Sequence, residues 1–169
     1  MLPKSPMKRS AALSPCGLYR THLRRIWDPA GTRVCFIGLN PSTADGTQDD
    51  PTLRRCIVFA KQWGHGSLVL LNLFARRTPS PAELWRMAAA GQDIEGQQMQ
   101  ALIQEAAQAQ QVVACWGAAK AARPRGRELV LNLESAGVEV HAIQRTKGGD
   151  PSHPLYLRKG LTPLLYSLD

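Results

Sequence analysis

The sequence has no Cys-x-x-Cys pair, no apolar run of membrane-spanning length and, apart from Asp28, no acid in its first 33 residues. Each absence excludes something. The cysteines at positions 16, 35, 56 and 115 stand far apart, with no histidine at a ligand spacing from any of them. A zinc or iron-sulfur site is therefore not expected, and neither is any cofactor. Cys35 and Cys115 fall inside apolar runs, where a reduced thiol acts as a small hydrophobe. The longest apolar run, residues 67–74, falls well short of the roughly 20 residues that cross a bilayer, so no membrane partner is expected. Residues 1–15 are basic but carry no continuous apolar segment of signal-peptide length, which points to the cytoplasm. Residues 1–17 read as a basic, flexible tail ahead of a single α/β domain over residues 18–169.

The formal net charge of +8 is unevenly spread, with seven Lys and Arg in residues 1–33. Two further clusters follow: Lys120, Arg123, Arg125 and Arg127, then Arg145, Lys147, Arg158 and Lys159. Such clusters suit a polyanionic partner, DNA or a nucleotide, although a basic arm is also often merely solvated.

Apolar runs and helix signals alternate along the chain. Residues 33–39, 67–73, 111–116 and 138–143 read as strands buried on both faces. Between the first two, Asp50 followed by Pro51 opens a helix to about residue 63. Ser80-Pro81-Ala82-Glu83 is a capping box opening a helix to about residue 87. Longer helices are predicted over residues 95–109 and 125–136. This order predicts a mostly parallel four-stranded sheet covered by helices on both faces, a three-layer α/β/α sandwich. In such sheets the ligand crevice lies beyond the carboxyl ends of the strands, and that rule selects the residues that follow.

Gly38-Leu39-Asn40-Pro41-Ser42 leaves the first strand, with Pro41 holding Asn40 extended so that its amide can hold a water or a substrate edge. Asn72 ends the second strand, where an amide beside four apolar residues must find partners or cost about 1 to 3 kcal/mol. Its donor and acceptor match the edge of a nucleobase. Trp116-Gly117 closes the third strand. His153 lies between Pro151 and Pro154, ahead of Leu155 and Tyr156, and a fixed imidazole can act as an acid, a base or a donor to developing negative charge. Asp45 and Asp49 are candidates to orient or deprotonate a water, Asp50 reads as a helix cap, and Arg54 on the next helix can meet these acids or a phosphate.

Asn40-Pro-Ser-Thr-Ala-Asp45, Asp50-Pro-Thr-Leu-Arg-Arg-Cys56, Asn72-Leu-Phe-Ala-Arg76, Trp116-Gly117 and His153-Pro-Leu-Tyr156 together resemble the domain-of-unknown-function family numbered 1643. The resemblance covers roughly residues 20 to 160 and brings no established activity. A more distant one concerns the order of motifs. Gly38-Leu39-Asn40-Pro41, Leu70-Leu71-Asn72, an apolar strand ending in Trp116-Gly117, and His153-Pro154 resemble the motifs of the uracil-DNA glycosylase superfamily. That resemblance implies a uracil-DNA-glycosylase-like fold and hydrolysis of a base–sugar bond. In it Asn40 places water, Asn72 holds the base, His153 stabilises the departing anion and Leu155 fills the vacated stack. Two other readings stand beside it: a non-catalytic module binding a nucleotide or nucleic acid in the same crevice, and a metal-assisted phosphohydrolase using Asp45, Asp49 and Asp50.

Overall fold

The computed structural model describes residues 6–168. Four parallel strands form its centre: β3 (Arg33–Gly38), β4 (Ser67–Asn72), β5 (Gln111–Ala114) and β6 (Val140–Ala142). They correspond to the four apolar runs. The sheet is wider than the expected four strands, however, and contains seven among the described residues. The chain begins with β1 (Lys8–Leu13) and β2 (Arg20–Ile26), and β7 (Leu164–Leu165) closes the far edge. The spatial order is β1-β2-β4-β3-β5-β6-β7, and the three outer strands run antiparallel to their neighbours.

The missed strands share a cause. β1 is exposed along most of its length, β7 has two residues, and β2 (RTHLRRI) carries three arginines and a histidine, so none shows an apolar run. Residues 8–13 of the expected flexible tail thus form an edge strand paired with β2, while residues 1–5 lie outside the described part.

Among the described residues four α-helices accompany the sheet: α1 (Pro51–Gln62), α2 (Pro81–Ala89), α3 (Met99–Ala106) and α4 (Arg123–Ser135). Successive strand residues point to opposite faces, and the core divides accordingly. Val34, Phe36, Leu68 and Leu70 pack with Leu53, Cys56 and Phe59 of α1. Cys35, Ile37, Val69 and Leu71 pack with Leu84 of α2, Leu102 of α3 and Leu129 and Leu133 of α4. Covering both faces is why the central strands are uniformly apolar. Burial also pushes the Cys35 thiol up, as suits a core residue.

Helix starts follow the capping signals. Asp50 accepts from the Leu53 N–H, Ser80 accepts from the Glu83 N–H, and each is followed by proline. The third helix is shorter than residues 95–109. The Asp93 carboxylate accepts from the backbone N–H of Glu95 and Gly96, and Gly96, at φ 69°, lies against the Tyr19 ring, so this stretch is a turn. No helix among the described residues is long and apolar enough to cross a membrane.

Candidate functional site

The carboxyl ends of β3, β4 and β5 open into a cleft of about 400 Å³. Its lining includes Gly38, Leu39, Asn40, Ser42, Asn72, Trp116, His153, Leu155 and Tyr156, so most of the residues singled out in the sequence meet there. Pro41 and Pro154 are buried beside the cleft, and Gly117 joins the lining residues Trp116 and Ala118.

The floor is made by the last residues of two paired strands. Gly38 of β3 stands opposite Asn72 of β4, and a Cβ at Gly38 would lie 2.9 Å from Asn72 Nδ2. Only glycine leaves room for that amide. Asn72 Oδ1 accepts from Arg20 Nη2 at 3.2 Å, which fixes the amide orientation and turns its donor end toward Gly38.

Asn40 is half-buried, and its Nδ2 donates to the Arg76 carbonyl at 3.1 Å and to Thr78 Oγ1 at 2.7 Å. Thr78 in turn donates to the Ser80 carbonyl, and its N–H to that of Pro41. The amide nitrogen of Asn40 thereby binds two loops into one wall. No described residue hydrogen-bonds its Oδ1.

The opposite wall is carried by the segment after β6. Gly117, at φ 82°, donates its N–H to the Pro151 carbonyl at 2.8 Å, which draws the His153 loop onto the end of β5. Asp150 anchors the same loop through a two-pronged pair with Arg123 at 2.9 and 2.7 Å. His153 precedes a 3-10 turn over Pro154–Tyr156, and its Nδ1 accepts from the Leu155 N–H at 3.3 Å. The ring proton therefore sits on Nε2. Burial lowers the His153 pKa and the nearby Asp50 carboxylate opposes that shift, so the imidazole is neutral at pH 7. Tyr156, 83% exposed, stands 5.6 Å from the His153 ring at the rim.

Asp45, Asp49 and Arg54 are not brought into the cleft. Asp45 accepts from the Thr47 N–H, the Gln48 N–H and the Thr47 hydroxyl; these bonds, the two from backbone N–H foremost, hold its carboxyl below the usual range. Asp49 pairs with Arg25 and Arg9, and Arg54 is exposed on α1. No group of three or more His, Cys, Asp or Glu among the described residues is arranged to hold a metal ion.

Arg20, Thr52 and Thr78 line the cleft without having been singled out, and Asp50 lines it in addition to capping α1. Arg20 is 2% exposed and donates to the Ala44 carbonyl at 2.7 Å as well as to Asn72, while its Nε has no partner. Burial draws its pKa down to about 10, against the pull of Asp50. No strand alternation marks it in the sequence, because the buried positions Arg20, Leu23 and Arg25 are spaced by three and then by two.

A family model described as "Protein of unknown function (DUF1643)" matches residues 20–155. The chain belongs to the DUF1643 family. The matched DUF1643 segment runs from Arg20 to Leu155 and takes in every cleft-lining residue except Tyr156. No curated protein and no solved structure matches the chain.

Proposed function

We propose that this cleft binds a nucleobase and hydrolyses the bond joining it to its sugar. The observation that carries the reading is the meeting of Asn40, Asn72 and His153, from three separate segments of the chain, around one cleft of nucleoside size. The α/β/α layering and the order of these motifs support a uracil-DNA-glycosylase-like fold, as the sequence resemblance implies.

The chemistry follows from which atoms remain unspent. Asn72 has its acceptor taken by Arg20 and offers Nδ2, while His153 has Nδ1 taken and offers Nε2–H. Both are donors, suited to a base bearing carbonyl oxygens. The start of α1 (Asp50, Thr52), that of α2 (Ser80, Pro81) and Ala119, at the head of the 3-10 turn leading into α4, also border the cleft. Their dipoles favour negative charge. A water held by Asn40 Oδ1 attacks the anomeric carbon as the bond to the base breaks. The base departs with the bonding pair, its negative charge met by the His153 Nε2–H, and is then protonated from solvent. The water proton is lost to solvent. A neutral imidazole serves here because its Nε2–H donates without the ring first having to take up a proton.

Release of free base from single- and double-stranded oligonucleotides carrying uracil, hypoxanthine or alkylated bases tests this. Release is expected from the native protein, unaffected by chelator, and lower by roughly 10² to 10⁴ in His153→Ala. A native protein that releases no base from any of these substrates sinks the hydrolytic reading. One observation favours a second reading, a nucleotide-binding module without turnover: the Asn40 amide nitrogen already has a complete structural role in the cleft wall. Binding that survives Asn40→Ala with no turnover in either form would select it.

A further inference from the structure

We propose that Tyr156 is a stacking platform at the mouth of the cleft, carrying the base next to the one inside, so that the cleft selects a single-stranded oligonucleotide over a free nucleoside. That a base occupies the cleft rests on the function proposed above.

Among the described residues no other large apolar side chain is as exposed as Tyr156, at 83%; Leu164 follows at 65%. On a loose loop such exposure would mean little, but this backbone is fixed. Pro154 and Leu157, which flank the Leu155-Tyr156 pair, are both buried. The Leu157 N–H donates to the Pro154 carbonyl at 3.2 Å, and Arg55 of α1 donates to the Leu157 carbonyl. His153 Nδ1 closes the start of the same turn by accepting from the Leu155 N–H. The turn therefore holds an aromatic ring out at the opening. That ring is tilted 45° to the His153 imidazole with centroids 5.6 Å apart, which braces one side of it and leaves the rest to solvent. A tyrosine has only two side-chain torsions to fix, so a ligand that settles on it orders little else.

The position of the ring indicates what settles there. Tyr156 lines the cleft together with Leu155 and His153, so a ligand entering the cleft passes it. The cleft, at about 400 Å³, accommodates one nucleoside, and whatever is attached to that nucleoside must lie across the rim. On the β4 side of the mouth the rim is formed by Pro79 and Pro81, both exposed. Apolar surface thus borders the opening from two segments. Such a mouth suits base faces, and stacking on an aromatic ring tolerates any base because each has a π-face. Arg158 and Lys159, both exposed, follow Tyr156 closely in the chain and bring positive charge for the phosphates that join the bases.

The test compares two probes: a short, labelled single-stranded oligonucleotide of mixed sequence containing uracil, followed by fluorescence anisotropy, and deoxyuridine monophosphate, followed by calorimetry. Tyr156→Ala is expected to weaken the oligonucleotide roughly 5- to 150-fold while leaving the monophosphate, however weakly it binds, within about twofold of its native affinity. Tyr156→Phe should retain oligonucleotide affinity, whereas Tyr156→Leu should lose it as Ala does, since an aliphatic side chain offers no π-face. Leu164→Ala, which removes an exposed apolar group outside the cleft lining, is the control and should change neither probe. A native protein that does not bind the oligonucleotide overturns the proposal, as does an affinity unmoved by Tyr156→Ala. Equal losses for both probes also overturn it, because Tyr156 would then belong to the nucleoside site itself. Oligonucleotide binding that depends on the ring, with no base release from any substrate, would sink the cleft reaction and leave the platform standing.

Discussion

Arg20 and Arg25 lie five residues apart on the same strand, both essentially inaccessible at 2% and 0% exposure, yet their surroundings differ. Arg25 is saturated: Nε donates to Asp49 at 2.9 Å, and its terminal nitrogens reach the carbonyls of Arg24, Asp45 and Gln48. It folds the acidic loop onto the sheet, pairing with the Asp49 carboxylate and taking up the Asp45 and Gln48 carbonyls. Arg20 reaches one carbonyl and the Asn72 amide, pairs with no carboxylate at hydrogen-bond distance, retains an unpartnered Nε and lines the cleft. One buried arginine is a structural pin; the other stands where hydrogen-bonding capacity is left over. Seven buried side-chain nitrogens among the described residues lack a partner, and of the residues that carry them only Arg20 lines the cleft.

Paired substitutions put this contrast at risk most directly. Arg25→Met leaves the Asp49 carboxylate and several carbonyls without their donor and is expected to cost about 3 to 5 kcal/mol in chemical denaturation. Arg20→Met is expected to cost only about 1 to 3 kcal/mol while abolishing ligand binding or turnover in the cleft. Equal stability losses, or an Arg20→Met protein with an unimpaired cleft, would break the distinction.

Gly38→Ala sharpens it at the floor. The added methyl meets Asn72 Nδ2 at 2.9 Å, between two strands that cannot easily separate. A loss of about 1 to 3 kcal/mol is expected, together with lost cleft function, because Asn72 must turn away from the position Arg20 gives it. Stability measured alongside base release separates a displaced amide from general unfolding.

The smallest expected effect is a pH dependence. His153 has a folded-state pKa below its ordinary value near 6.5, with burial the main cause, so the folded state takes up its proton less readily than the unfolded chain. Its contribution to stability is complete above about pH 6.5 and is lost as pH falls through the lower folded-state value. His22 is shifted in the same direction and contributes in the same window. His153→Gln should flatten part of the stability loss below pH 6.5, and a denaturation series identical to the native protein's would refute the shift.

The readable parts of the sequence share a physical origin. The runs at 33–39 and 67–73 are visible as strands because helices cover both their faces, and a doubly buried strand has no polar side to interrupt its apolar pattern. Asn72 is conspicuous for the same reason, as an amide ending such a run. Asp50-Pro51 and Ser80-Pro81 are readable because capping is a local hydrogen bond between residues three apart. β2 could not be read this way: its arginines look like part of a basic tail until Asp49 and Asn72, 24 and 52 residues away, are folded against them. Asp45 and Asp49 read as catalytic candidates because sequence shows a carboxylate's proximity to Asn40 but not which donors take up its oxygens.

The sequence by itself determined the central parallel strands, the helix starts and the loops that meet beyond the strand ends, since these depend on periodicity and on contacts within a few residues. Only the tertiary structure decided which polar groups are satisfied and which are not. It seated Arg25 among acceptors, left Arg20 beside Asn72 and turned Arg125 inward onto the Leu73 and Gln97 carbonyls. Hydrogen-bond satisfaction and charge balance are sums over neighbours brought together by folding, and no local stretch of the chain contains those sums.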